Sequence, residues 1–186
     1  IYDSTGNSVQ TKIATFSLAD DVTDVCMVQW GDRLVVVVAF GTNKLGFICY
    51  SATTLTGWTQ MGSTGCWYRE ESITEHDTSA SVNEITRVKP YRSRLAINGV
   101  TSYTESITET IYGVWFSEAG NPINFNKDYL SSATDTSAFF CETGEKVNQL
   151  EEYHGLTAFC RNRSYNITGT SQNTYQQMPL TAKGVF

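Results

Sequence analysis

Carboxylates, histidines and cysteines are the side chains here whose types and spacing invite a chemical reading. Acids cluster at Glu70-Glu71, at Glu75 with Asp77, and at Glu151-Glu152. Cleaving a glycosidic bond takes two placed carboxyl groups roughly 5 to 10 Å apart, flanking the bond to be broken. Glu70 and Glu71 adjoin on a strand-like stretch, where successive side chains point to opposite faces, so they converge only at a bulge. His76 lies between Glu75 and Asp77, and His154 stands alone in a turn. Neither histidine has the second one that would support zinc, nor the serine and acid of a nucleophilic triad. No glycine-rich phosphate loop is present. The expectation is a chain with no catalytic residue, no metal ligand and no cofactor.

The five cysteines (26, 49, 66, 141 and 160) are odd in number and lack CxxC spacing. Cys26, Cys49 and Cys160 fall in apolar strand-like stretches and read as small buried hydrophobes. That usage fits folding in a reducing cytoplasm. Among the aromatics, Trp58 and Trp115 sit inside strand patterns and read as core, where an indole contributes a large apolar area. Trp67 and Tyr68, beside Gly65 and Cys66, are the candidate contact for a ligand or partner. Two glycosylation sequons, at Asn162 and Asn166, are of a kind that arises by chance.

The elements that must position these residues read as strands. Of 186 residues, 40% are apolar and 17% charged, and threonine and aromatic residues suit a pleated, half-buried surface. Helical periodicity is weak, with Val147 to Tyr153 long enough for two turns at most. The longest apolar run, Leu34 to Phe40, is too short to span a bilayer. A net charge of −6 argues against binding nucleic acid by phosphate neutralisation, although an acidic wall would let DNA pass without sticking. No signal peptide or anchor is visible, and the start at Ile1 suggests a processed product or a piece of something longer.

A phrase recurs along the chain. A polar turn opening onto an apolar strand appears at Trp30-Gly31-Asp32-Arg33-Leu34, at Tyr91-Arg92-Ser93-Arg94-Leu95 and at Tyr153-His154-Gly155-Leu156. The three leucines are spaced 61 residues apart. Such a period marks an architecture of copied units. The units fall near 12–69, 82–130 and 138–186, within one all-β domain or fragment. Hairpins at Trp30-Gly31-Asp32 and Gly41-Thr42-Asn43-Lys44 give the first unit a meander of about four strands, closed by Thr53 to Trp58. Sheets of about four strands are the blades of β-propellers, so the expected fold is β-propeller-like, with about three four-stranded antiparallel blades belonging to a larger ring. Ser102 to Thr110 reads as a long hairpin loop or exposed ribbon. Glu70 to Ser81 and Ser131 to Ser137 read as surface insertions. The segment from Ser171 onward shows no closing strand. His154 fills the turn position that Gly31 and Arg92 fill elsewhere.

Three phrases carry a family resemblance. Gly113-Val114-Trp115-Phe116-Ser117-Glu118-Ala119-Gly120-Asn121-Pro122-Ile123-Asn124-Phe125 resembles a strand-turn phrase of phage tail proteins with a propeller domain. Tyr91-Arg92-Ser93-Arg94-Leu95, and Leu156 to Gly169 with the following Gln177 to Val185, are similar to flanking segments of the same proteins. The family is the tail nozzle or tail hub group of short-tailed phages, also called packaged-DNA stabilisation proteins. The resemblance covers roughly 85–185, with a weaker echo at 25–60. It implies a non-enzymatic virion component, assembled in the host cytoplasm into the tail. Its partners would be copies of itself and neighbouring tail or portal proteins, with DNA passing through the exit channel unbound. The other reading is a carbohydrate-binding propeller-like module on a phage or bacterial surface protein, with a surface glycan at Trp67 and Tyr68. Tyr50 to Trp58 resembles the Asp-box hairpin of sialidase-type propellers, with Thr53 at the carboxylate position. That hairpin is a structural fastener, so it speaks for blade architecture and not for catalysis.

Overall fold

The computed structural model describes residues 18, 20–61, 65–74, 81–104, 108–125 and 136–181. These residues form thirteen strands in three antiparallel sheets, with no helix among them. The chain is all-β. Sheet 1 contains β1 (Val22–Trp30), β2 (Arg33–Phe40), β3 (Lys44–Tyr50), β4 (Thr59–Met61) and β5 (Cys66–Ser72), in the order β1-β2-β3-β5-β4. Sheet 2 runs in sequence order through β6 (Val88–Tyr91), β7 (Arg94–Thr104), β8 (Thr108–Phe116) and β9 (Phe139–Glu142). Sheet 3 does the same with β10 (Val147–Glu152), β11 (Leu156–Cys160), β12 (Ser164–Thr168) and β13 (Gln176–Thr181).

Several strand readings need correction. Thr53 to Trp58 is not a strand, and β5 closes sheet 1 with β4 at its edge. The Ser51 hydroxyl bonds the Thr53 carbonyl at 2.8 Å and Gly57 adopts φ +79°, so local hydroxyl bonds and a turn displace the ladder there. Val147 to Glu152 is extended and pairs with β11, which leaves no helix at that point. The segment after Ser171 does supply a closing strand, β13, whose edge position lets polar Gln176 and Gln177 serve. The threonine-rich stretch is a ribbon in which β7 and β8 stay paired out to Thr104 and Thr108. Residues 12–17 of the first expected unit lie outside the described residues, as do Glu75, His76 and Asp77.

The repeated phrase builds a hairpin corner three times. Sheets 1 and 2 use a two-residue turn, with Trp30 opposite Arg33 and Tyr91 opposite Arg94. Sheet 3 uses a three-residue bend, Tyr153 to Gly155, where Glu152 stands opposite Leu156. Gly31, Arg92 and His154 have φ of 61°, 55° and 50°, so all three occupy the left-handed region at the turn into the second strand. Only at Gly31 does the residue type relieve the strain of that conformation. Leu34, Leu95 and Leu156 then sit at the start of the second strand of their sheets.

The sheets stack face to face, with sheet 2 in the middle. Val35, Val37, Leu45 and Phe47 of sheet 1 pack against Leu95, Ile97 and Trp115 of sheet 2. Ala96, Val114, Phe116 and Phe139, from the other face of sheet 2, pack against Leu156, Ala158, Tyr165 and Ile167 of sheet 3. Burial on both faces explains the unbroken apolar runs Leu95-Ala96-Ile97 and Val114-Trp115-Phe116. The close backbone approaches between sheets centre on the first strands, joining β6 to β1 and β10 to β6. Large apolar side chains left exposed are Val22, Val25, Met27, Leu34 and Tyr50 in sheet 1 and Tyr153, Met178 and Leu180 in and beside sheet 3. Among the described residues, sheet 2 exposes none.

Candidate functional site

A cleft of about 350 Å³ opens where the end of β5 meets the turn that follows β8. Arg69, Glu71 and Thr74 line one side, and Asn121, Ile123 and Asn124 the other. Arg69 and Glu71 lie two apart on β5, hence on one face, and form an ion pair. The opposite wall is the phrase Ser117 to Phe125, whose residue types fold it into a self-bonded turn. Glu118 Oε2 accepts from the Asn121 Nδ2 at 3.2 Å and from the Asn124 Nδ2 at 3.0 Å. Gly120 takes φ +74°, and its N–H donates to the Ser93 carbonyl at 2.7 Å, which ties the turn to the hairpin of the repeated phrase. The Asn121 Oδ1 is buried and has no hydrogen-bond partner. The polar side chains around the cleft are therefore largely engaged with one another.

The carboxylates do not converge. Glu70 and Glu71 sit in a regular ladder opposite Gly46 and Leu45, so they point to opposite faces. Lys44 holds Glu70 at 2.7 Å and keeps its carboxyl below the usual range, with help from the Tyr68 hydroxyl. Glu151 is likewise held down, first by a hydrogen bond from Gln149 and then by Lys89. Among the described residues, no group of three or more His, Cys, Asp or Glu side chains could hold a metal ion.

The aromatic pair separates across the sheet. Trp67 is 6% exposed and lies in the core between sheets 1 and 2, its Nε1 donating to the Ser51 carbonyl at 3.0 Å. Its ring offers no open face for a sugar. Tyr68 points the other way, its hydroxyl donating to Glu70 Oε2 at 3.1 Å, and burial with that carboxylate pushes its pKa up to about 12. Trp115 is buried and packs at a tilt against Phe140, while Trp58 packs beside Trp30. The cysteines are all free, and burial pushes Cys26 and Cys141 up to about 12 and Cys160 to about 11. Such thiols stay protonated at neutral pH and make poor nucleophiles.

Sequence reasoning missed the fasteners between sheets 2 and 3. Tyr91 donates its hydroxyl to the Gly169 carbonyl at 2.9 Å. Buried Arg94 donates to the carbonyls of Thr170, Ser117 and Ser137 and lies over the Phe139 ring. The signal was present in the repeated phrase, where these residues flank the turn. No protein-family model, curated protein or solved structure matches the chain.

Proposed function

We propose that the chain is a non-enzymatic structural component of a phage tail, part of a nozzle or hub that surrounds the exiting DNA. Its three sheets are blades of a β-propeller-like ring, and it works by assembling with copies of itself and with neighbouring tail or portal proteins. The observation that carries this reading is the convergence of β1, β6 and β10, the first strand of each sheet, along one side of the stack. Sheets that share a line through their first strands and fan outward have the geometry of blades around an axis.

The first strands meet through polar groups. Asp24 accepts from the Val88 N–H at 3.0 Å, Arg87 donates to Gln149, and Lys89 pairs with Glu151 at 3.3 Å. Most charges at that line are thus engaged within the protein. With a net charge of −6, the assembly would let duplex DNA slide without adhering. The family resemblance supports the same reading, because its phrases map onto the inter-sheet fasteners and the self-bonded turn. Peptide mass spectrometry of purified particles of the encoding phage tests the proposal. Recovery of this chain in the tail fraction is the expected result, and its absence from intact particles would overturn it.

A further inference from the structure

We propose that Asn98-Gly99 is a self-modification site, inert in the folded chain and reactive only after unfolding, whose reaction bars the chain from refolding. The inference is independent of the tail reading.

The two residues are the single Asn-Gly pair of the sequence. They lie within β7, the second strand of the middle sheet. In an Asn-Gly pair the side-chain amide is open to attack by the following backbone nitrogen, because glycine has no Cβ to hinder the approach. The Gly99 nitrogen bonds to Asn98 Cγ, and the bond from Cγ to Nδ2 breaks. The proton of the Gly99 N–H leaves with the side-chain nitrogen as ammonia, and a five-membered imide remains. Water then opens the imide at either of its carbonyls, which gives aspartate or isoaspartate.

The fold holds both reacting groups away from this reaction. Asn98 is 1% exposed, and its side chain makes four hydrogen bonds. Oδ1 accepts from the N–H groups of Thr86 at 2.9 Å and Arg87 at 2.7 Å. Nδ2 donates to the Thr86 hydroxyl at 2.9 Å and to the Val147 carbonyl at 2.8 Å. That is the full capacity of a primary amide. The nucleophile is held as well. Asn98 and Val100 send their N–H groups to the carbonyls of Arg87 and Asn83, on the β6 side of the strand. Successive N–H groups of a strand point to opposite sides, so Gly99 sends its own toward its partner Gly113 on β8. Closing the imide needs a local bend that this ladder forbids.

Packing calls for the pair despite its reactivity. A Cβ on Gly99 would lie 2.5 Å from Val82 Cγ1 and 3.1 Å from the Asn83 carbonyl oxygen. Asn98 in turn ties the segment before β6 to the first residue of β10, and so sheet 2 to sheet 3. An ionised aspartate there has no hydrogen for the Val147 carbonyl and sets two buried acceptors against each other. Isoaspartate routes the main chain through the β carbon, which lengthens β7 and throws the residues after it out of phase with their faces. Either product breaks the contact between sheets, so an unfolding event that outlasts the reaction becomes one-way.

Peptide mass spectrometry of the full chain, held in mildly alkaline buffer with and without guanidinium chloride, tests this. Without denaturant, conversion of Asn98 should be on the order of a hundredfold slower, because reaction then waits on an opening of β7. In denaturant, Asn98 should convert ahead of every other asparagine. After dilution from denaturant, chains that regain native tryptophan fluorescence should be depleted in the converted form. The variant Asn98→Asp should show a lowered urea midpoint or fail to fold. Equal conversion rates in the two buffers would overturn the proposal. Faster conversion at another asparagine, or converted chains that refold with the unmodified midpoint, would also overturn it.

Discussion

The hydroxyl of Tyr91 donates to the backbone carbonyl of Gly169 at 2.9 Å, across the gap between the middle and last sheets. The bond fixes the corner of one repeat to the end of a hairpin in the next. Three residues along, Arg94 extends its guanidinium to Thr170 at 2.9 Å, so neighbouring carbonyls of sheet 3 are engaged by one phrase of sheet 2.

Removing these contacts should loosen sheet 3 from sheet 2. Tyr91→Phe leaves the Gly169 carbonyl without that donor and should cost about 1 kcal/mol. Arg94→Met deprives the buried Ser117 carbonyl and the less buried Thr170 and Ser137 carbonyls of a charged donor and should cost about 2 to 3 kcal/mol. Arg94→Lys should recover little, because a single ammonium cannot reproduce the guanidinium fork. Urea unfolding of the three variants checks the ranking, and equal midpoints for Arg94→Met and wild type would contradict it.

Gly99 and Gly113 pair across β7 and β8, and each leaves room for a neighbour. A Cβ on Gly113 would lie 2.3 Å from the Phe140 ring and 2.5 Å from the Cys141 carbonyl oxygen. Gly113→Ala should therefore destabilise by roughly 2 kcal/mol through overpacking, and its melting temperature would show it. Gly31→Ala meets no atom within 4 Å and should cost less, since only its left-handed φ opposes the change.

The buried thiols predict slow chemistry. At neutral pH the folded chain should react sluggishly with a thiol-specific disulfide reagent, and denaturant should release all five. Rapid reaction of every cysteine in the folded state would contradict the burial described above. Fewer than five after denaturation would contradict the free-thiol assignment.

Acid should weaken the fold in a defined window. Glu70 and Glu151 hold their carboxyls below the ordinary glutamate value in the folded chain. They bind protons less readily folded than unfolded, so their stabilisation is present above that ordinary value and is lost as pH falls through the lower folded one. Urea midpoints measured from about pH 6 to about pH 3 should decline, and Lys44→Met with Lys89→Met should flatten the decline. The effect is small, because both pairs are partly solvated.

What the sequence made legible follows from how strongly each residue's surroundings constrain it. The strands Leu34 to Phe40 and Leu156 to Cys160 announced themselves because burial on one or both faces demands continuous apolar runs. The 61-residue spacing was readable because each repeat needs an aromatic, a left-handed turn residue and a strand start in that order. Edge elements were not legible. β13 carries Gln176 and Gln177 because an outer strand faces water, and nothing in that composition distinguishes it from a loop. The same limit applied at the candidate contact, where alternation put Trp67 into the core and Tyr68 on the opposite face. The roles of Glu118, Asn121 and Asn124 depend on a turn whose shape the residue types permit but do not dictate.

Amide hydrogen exchange followed by NMR tests most directly the claim that repeated sheets stack with sheet 2 buried on both faces. Amides of Ile97, Val114, Trp115 and Phe116 should exchange slowest, at rates set by global unfolding, with β1 and β13 faster. Fast exchange across β7 and β8, with protection highest in an outer sheet, would contradict the stacking.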